Sequence, residues 1–202
     1  MLHYEAINKV SLDVLKKLMQ LNALIDFYLV GGTALALQLG HRFSIDLDLF
    51  TGKDFTAIEL TVPLEKLYPL KITGQHHNTL NLYIEDVKVD IMSFNYPLLR
   101  PIQKDDGIRF MGMEDIGSMK LSAIAQRGSK KDFFDLFFLL KEFNLEEMFR
   151  NFQKKFPGTD LFHITKSLIY FDDADPEPDP VLVRKISWVE VKKEMARIVR
   201  KL

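Results

Sequence analysis

Between Ser11 and Gln20, apolar Leu12, Leu15, Leu18 and Met19 recur at helical spacing with Asp13, Lys16 and Lys17 between them, which predicts an amphipathic opening helix. The run Phe27-Tyr28-Leu29-Val30 is aromatic and β-branched, stops at Gly31-Gly32, and gives way to an Ala- and Leu-rich stretch from Thr33 to Leu39. That order reads as strand, glycine turn, helix, with Gly40 as the helix stop. From Ile45 to Phe50, apolar and acidic residues alternate with the period of a half-buried strand, which puts Asp46 and Asp48 on one face. A helix is expected around residues 54–67. Residues 80–83 and 87–94 then read as the two strands of a hairpin turning at Glu85-Asp86, with Asp90 inside its second strand.

Beyond Pro97 and Pro101 comes a polar stretch, after which the pattern is helical. Residues 113–126 and 130–143 make two helices broken at Gly128-Ser129, and further helical segments are expected at 145–156, 159–170 and 188–202. Between them, residues 171–180 are too acidic and too proline-punctuated for a core and read as a surface crossing. The fold class expected is α+β (α/β): a small mixed sheet flanked by helices over residues 1–100, and a helical C-terminal subdomain over residues 101–202 packed on it. At 202 residues and 47% hydrophobic, the chain suffices for one sizeable core or two small lobes.

Composition removes several chemistries. With no cysteine, thiol nucleophiles, disulfides and cysteine-held metals are excluded, so any metal sits on oxygen or imidazole. A net charge of −1 argues against a protein that coats nucleic acid, although a local basic patch remains open. No apolar run approaches a bilayer span and the N-terminus does not read as a signal peptide, so the expectation is a cytoplasmic protein without membrane contact.

Two carboxylates one residue apart on a strand repel each other unless a cation lies between them, and hard oxygen ligands favour magnesium or manganese. Upstream, Gly31, Gly32 and Thr33 offer what a triphosphate needs: close backbone approach, unpaired N–H groups and the positive end of a helix dipole. Alternation puts Lys88, Asp90 and Met92 on one face of their strand, with Val87, Val89 and Ile91 on the other. Singly, each signal has a plainer reading. A Gly-Gly turn is commonly just a turn, and an Asp-x-Asp strand is commonly a solvated edge.

Their order is more specific. The run Gly31-Gly32-Thr33-Ala34-Leu35-Ala36-Leu37, followed by Arg42-x-Ser44-x-Asp46-Leu47-Asp48-Leu49-Phe50, resembles the signature of AbiEii-type nucleotidyltransferases, a branch of the polymerase-β-like superfamily. The resemblance implies that the glycine turn cradles a nucleoside triphosphate (NTP), that Asp46 and Asp48 ligate Mg2+ (or Mn2+), and that Asp90 in Val89-Asp90-Ile91 completes the site. A second block, Lys120 and Arg127 followed by Lys131-Asp132-Phe133-Phe134-Asp135-Leu136, resembles the family's helical motif. Seven residues apart on a helix, Lys120 and Arg127 share nearly one face and suit phosphate charge. Asp132 and Asp135 are open to three roles: holding those cations, contacting the base, or capping the helix they begin. The acidic, proline-rich residues 172–180 leading to Ile186-Ser187-Trp188 also look like the family's ending.

The implied reaction moves a nucleoside monophosphate from NTP to an acceptor hydroxyl, with Lys120 and Arg127 meeting charge on the leaving pyrophosphate. Kinship further implies a toxin of a toxin–antitoxin or abortive-infection system, with tRNA as an acceptor and a cognate antitoxin as a partner. Two alternatives stand beside it: a catalytically inactive nucleotide- or partner-binding module of the same fold, and an aminoglycoside-type small-molecule adenylyltransferase. The cations Lys192, Lys193, Arg197, Arg200 and Lys201 read as a solvated helix face. His76 and His77, adjacent on a strand, point opposite ways and do not read as one metal site.

Overall fold

The computed structural model describes all 202 residues, which form two compact units. One comprises Met1–Tyr96 with Pro101–Met111, the other Pro97–Arg100 with Gly112–Leu202.

The first unit is built on a seven-stranded sheet in the order β3-β4-β5-β2-β1-β7-β6. Its strands are β1 (Tyr28–Val30), β2 (Leu47–Thr51), β3 (Lys71–His76), β4 (Thr79–Ile84), β5 (Val87–Ser93), β6 (Gln103–Asp105) and β7 (Ile108–Phe110). β2 runs parallel to β5 and β1 parallel to β7, while the other pairs are antiparallel, so the sheet is mixed. Helices α1 (Lys9–Gln20), α2 (Gly31–Leu39) and α3 (Ala57–Glu65) accompany it. The expected α+β class, with a mixed sheet and a helical C-terminal half, is the one found.

Local chemistry accounts for the boundaries. Asn8 caps α1 by accepting from the Ser11 N–H, and Gly40 ends α2 in the left-handed region at φ 58°, donating its N–H to Ala36. A capping box between Thr56 and Glu59 starts α3. Along β4 and β5 the alternation works as the sequence predicts: Leu80, Leu82, Ile84, Val89 and Ile91 are fully buried on one face, leaving Lys88 exposed and Asp90 half-buried on the other.

Two features depart from the sequence reading. The sequence puts His76 and His77 together on a strand; that strand is β3, at the sheet's edge, in which His76 is the last residue, while His77 lies in the following turn. The polar stretch after Pro101 contains the β6–β7 hairpin, which joins the first unit's sheet beside β1. A tertiary anchor holds it there: the Arg109 guanidinium donates to the carbonyls of Phe27, Met19 and Leu24 at 2.8, 2.9 and 2.9 Å. Three alternating residues in a polar stretch carry too little periodicity to announce such a strand.

The second unit is helical: α4 (Met113–Arg127), α5 (Lys130–Leu139), α6 (Leu145–Lys155), α7 (Leu161–Ser167) and α8 (Trp188–Val199). α4 packs against α5, α6 and α7, and α5 against α8. Phe133 and Phe134 are fully buried, and Trp188 meets both rings and Phe171 at 5.7 Å. The acidic segment anticipated as a surface crossing grips the start of α5. The Glu177 carboxylate accepts from Ser129 Oγ and the Lys130 N–H, each at 2.8 Å, while Lys130 Nζ donates to the Glu177 carbonyl and to Asp179. Lys155 is completely buried, with Nζ 2.7 Å from Asp115 and 3.0 Å from the Pro97 carbonyl. Asp115 also receives the N–H groups of Leu99 and Arg100, so one buried ion pair ties Pro97–Arg100 to this unit.

Candidate functional site

The glycine turn is the entrance of α2. Val30 is the N-cap and offers no side-chain cap, and no acidic residue sits in the first turn, so neither covers the helix's positive end. Gly31 takes φ +69°, a conformation that disfavours a side chain. Space excludes one as well: a β-carbon on Gly31 would lie 2.5 Å from Asp48 Oδ2, and one on Gly32 would collide with the Arg42 guanidinium. The two glycines therefore admit an acid and a base right against the helix entrance.

Thr33 faces the other way. Its side chain is 1% exposed; the hydroxyl donates to the Asp46 carbonyl and shares a 2.8 Å hydrogen bond with Ser44 Oγ. What Thr33 presents outward is its place in the turn's backbone, and its side chain fixes the start of the Asp46-x-Asp48 segment. Asp46 immediately precedes β2, and Asp48 lies within it beside Val30 of β1. Ser44 donates its N–H to the Ala6 carbonyl, which fixes the approach to Asp46 from a second side.

The register brings the third acid into place. Asp48 pairs with Asp90 across the parallel β2–β5 ladder, so the two carboxylates stand on one face. Both Asp90 oxygens are engaged: Asn81 donates to Oδ1 at 2.8 Å, and Lys88 Nζ lies 2.5 Å from Oδ2. The hydrogen bond to Asp90 is the largest cause raising the Lys88 ammonium's pKa; partial burial opposes it, and the charges of Asp90, Asp46 and Asp48 add to it. One ammonium thus feels all three predicted acids. No three acidic or histidine side chains are drawn together closely enough to enclose a metal ion in this arrangement. The donor chemistry is of the kind a hard divalent cation takes: Asp48 and Asp90 present carboxylates on one face of the sheet, in a field that already favours positive charge.

In the helical unit, Lys120 is 6% exposed, and its Nζ lies 2.7 Å from Asp132 and 2.6 Å from Asp135. Arg127 Nε and Nη2 reach Asp132 at 2.8 and 3.1 Å. Of the three roles open to Asp132 and Asp135, holding these cations is the one the contacts display. Ser129, not Asp132, is the N-cap of α5. Burial alone would raise the Asp132 carboxyl, but Lys120 and Arg127 outweigh it and hold it below the usual carboxylate range.

Sequence reasoning gave no role to Arg42, Ser44, Asn81 or Lys88. For the last two a signal was present. Counting back from the Glu85-Asp86 turn pairs Tyr83 with Lys88 and Asn81 with Asp90. Arg42 and Ser44 stand in the signature run, but only the folded chain brings the Arg42 guanidinium against Gly32.

The chain is similar to known proteins over most of its length. The chain is 40% identical over 177 residues, 85% of its length and 86% of the relative's, to the uncharacterized protein aq_aa25 of Aquifex aeolicus (strain VF5). Its fold is similar to JHP933 from Helicobacter pylori, with a TM-score of 0.53, 21% identity, and coverage of 96% of this chain and 92% of that one. It is also similar to MenT4, the nucleotidyltransferase toxin Rv2826c from Mycobacterium tuberculosis H37Rv, with a TM-score of 0.59, 15% identity, and coverage of 95% and 85%. No helix is long and apolar enough to cross a membrane. The family model for the nucleotidyl transferase AbiEii toxin of type IV toxin–antitoxin systems matches residues 13–201, and with nearly the whole chain matched this protein belongs to that nucleotidyltransferase family.

Proposed function

We propose that this protein transfers a nucleoside monophosphate from an NTP to the hydroxyl of an acceptor, with RNA, and tRNA in particular, as the acceptor class. The observation that carries this reading is the placing of Asp48 against Gly31 and beside Asp90, which unites the carboxylate face with the helix entrance in one unit. Membership of a toxin–antitoxin family implies a cognate antitoxin as partner and an NTP as substrate.

In this reading Gly31 and Gly32 take the β- and γ-phosphates on the N–H groups at the start of α2, where the helix dipole favours negative charge. Arg42, packed on Gly32, adds a fixed positive charge to the same turn. Asp46, Asp48 and Asp90 would hold Mg2+ or Mn2+, which when bound supplies Lewis-acid stabilisation of phosphoryl charge. Asp90 further favours loss of the acceptor hydroxyl proton, and Asn81 keeps its carboxylate turned to the open face. The acceptor oxygen forms a bond to the α-phosphorus, the α–β bridging P–O bond breaks, and pyrophosphate leaves with the electron pair. A phosphate-binding role for Lys120 and Arg127 is a separate proposal that rests on the family resemblance alone, and Asp132 and Asp135 fix their head groups within the helical unit.

The test is incubation of the protein, and of Asp48→Ala, with magnesium, each α-phosphate-labelled NTP and bulk tRNA, followed by gel separation. Label on RNA with the wild type alone is the expected result. Magnesium-dependent NTP binding without labelled RNA moves the acceptor to a protein or small molecule, and no NTP binding at all leaves the inactive module.

A further inference from the structure

The hairpin register lays out three rows of side chains on the open face of the sheet. Lys88, Tyr83 and Lys71 form one row across β5, β4 and β3. Asp48, Asp90, Asn81 and Gly74 form the next, and Phe50, Met92, Thr79 and His76 the third. β3 ends the sheet on this side, so the rows run from the carboxylates to a free edge.

The middle row is low. Gly74 faces Asn81 so closely that a β-carbon there would lie 2.7 Å from Asn81 Oδ1, and without one the row becomes the floor of a trough. Its wall on one side is an aromatic ring between two cations: Lys71 Nζ lies 5.7 Å from the Tyr83 ring centre, and Lys88 flanks Tyr83 on the other strand. Lys71, Lys88 and His76 are exposed, and Tyr83 is half-buried. Strands stand about 4.8 Å apart, so the path from β2 to β3 is roughly 14 Å long. Glu85 and Asp86, at the hairpin tip beyond the Tyr83–Lys88 pair, repel an anion there and direct it across the sheet toward β3.

We infer that this face is the acceptor platform, and that its occupant is the 3′ end of a single-stranded RNA. The inference rests on the transferase reading above and names the acceptor path. The terminal hydroxyl lies at Asp48 and Asp90, a base stacks on Tyr83, and the chain's phosphates run along Lys88 and Lys71. An aromatic ring between lysines is what an unstacked base on a phosphate backbone requires, and a duplex, with its bases already stacked, cannot use it.

The experiment uses the full chain with magnesium and reads anisotropy of a labelled single-stranded oligoribonucleotide carrying a free 3′ hydroxyl. Tyr83→Ala and Lys71→Glu each weaken RNA binding by about tenfold or more, and Tyr83→Phe, which keeps the ring, restores it. Lys71→Glu also lowers the salt dependence of binding, as loss of a phosphate contact requires. Magnesium-dependent binding of a fluorescent NTP stays unchanged in all three variants, which also shows that they are folded. Unaltered RNA affinity in both Tyr83→Ala and Lys71→Glu overturns the inference, as does equal affinity for a blunt duplex of the same sequence, or absence of RNA binding with label passing to a protein. RNA binding is read without turnover. A wild type that binds RNA through Tyr83 but no NTP therefore sinks the transferase reading while leaving the platform standing.

Discussion

Asp48 Oδ2 lies 2.5 Å from the point where a β-carbon on Gly31 would stand, so the carboxylate proposed to hold metal and the backbone proposed to hold phosphate are in contact. Gly31 also sits at φ +69°, and the left-handed region costs an L-residue about 1–2 kcal/mol. Gly31→Ala is expected to lower thermal stability by that modest amount while weakening magnesium-dependent NTP binding about a hundredfold, a loss of about 2.7 kcal/mol. Titration with a fluorescent NTP beside a melting curve checks both halves. Strong binding in a stable Ala variant would detach Gly31 from the site.

The hold of Asn81 and Lys88 on Asp90 separates two roles. Asp90→Asn should remove nearly all nucleotidyl transfer, by about a thousandfold or more, with NTP binding reduced far less. Asn81→Ala leaves the carboxylate in place but unguided, and a loss of about tenfold in kcat with little change in KM for NTP is expected. Steady-state kinetics with varied NTP distinguishes these outcomes from a uniform loss of folded protein.

Removing divalent metal should raise the apparent Kd for NTP steeply, because the triphosphate would then face Asp46, Asp48 and Asp90 without a cation between. Restoring Mg2+ or Mn2+ after EDTA recovers binding, whereas Ca2+, larger and less exacting in geometry, should recover binding better than turnover. NTP affinity indifferent to EDTA would remove the carboxylates from the phosphate site.

Asp132 titrates below the usual carboxylate range because Lys120 and Arg127 outweigh its burial. A depressed folded pKa adds stability that is complete above the unfolded value near 3.9 and is lost as pH falls through the folded value. Asp132→Asn should therefore cost about 3 kcal/mol near neutral pH, where it takes one of two carboxylates from buried Lys120 and leaves it Asp135, and the gap from wild type should narrow in acid below about pH 4. Urea denaturation across pH 2–7 reads this directly. A gap constant with pH would place the cost in packing and not in charge.

Lys155 and Asp115 are both completely buried and 2.7 Å apart. Lys155→Met leaves a buried carboxylate without its cation and should cost about 3–5 kcal/mol, whereas Lys155→Met with Asp115→Asn should recover a good part of that. Chemical denaturation of the two variants supplies the comparison. Equal losses in the single and double variants would mean that the ion pair itself contributes little.

Much of this protein is written locally. The amphipathic period of α1, the strand–glycine–helix order at Tyr28 to Leu39, the alternation that puts Asp46 with Asp48 and isolates Asp90, and the stops at Gly40 and Gly128 all follow from neighbours a few residues apart. The order Gly31-Gly32, Asp46-x-Asp48, Asp90 was therefore legible, and with it the family. Tertiary structure decided what those residues touch. The β6–β7 hairpin belongs to the sheet because Arg109 finds three carbonyls far away in sequence. Thr33 points into the protein because the Asp46 carbonyl and Ser44 are its nearest polar partners, and Arg42 comes to rest on Gly32. Lys120 and Arg127 share a helical face by spacing alone, yet only the packing of α5 on α4 brings Asp132 and Asp135 to them. Periodicity fixes which way a side chain leaves its own backbone; the partner it meets depends on the long-range closure of the chain, which no local pattern records.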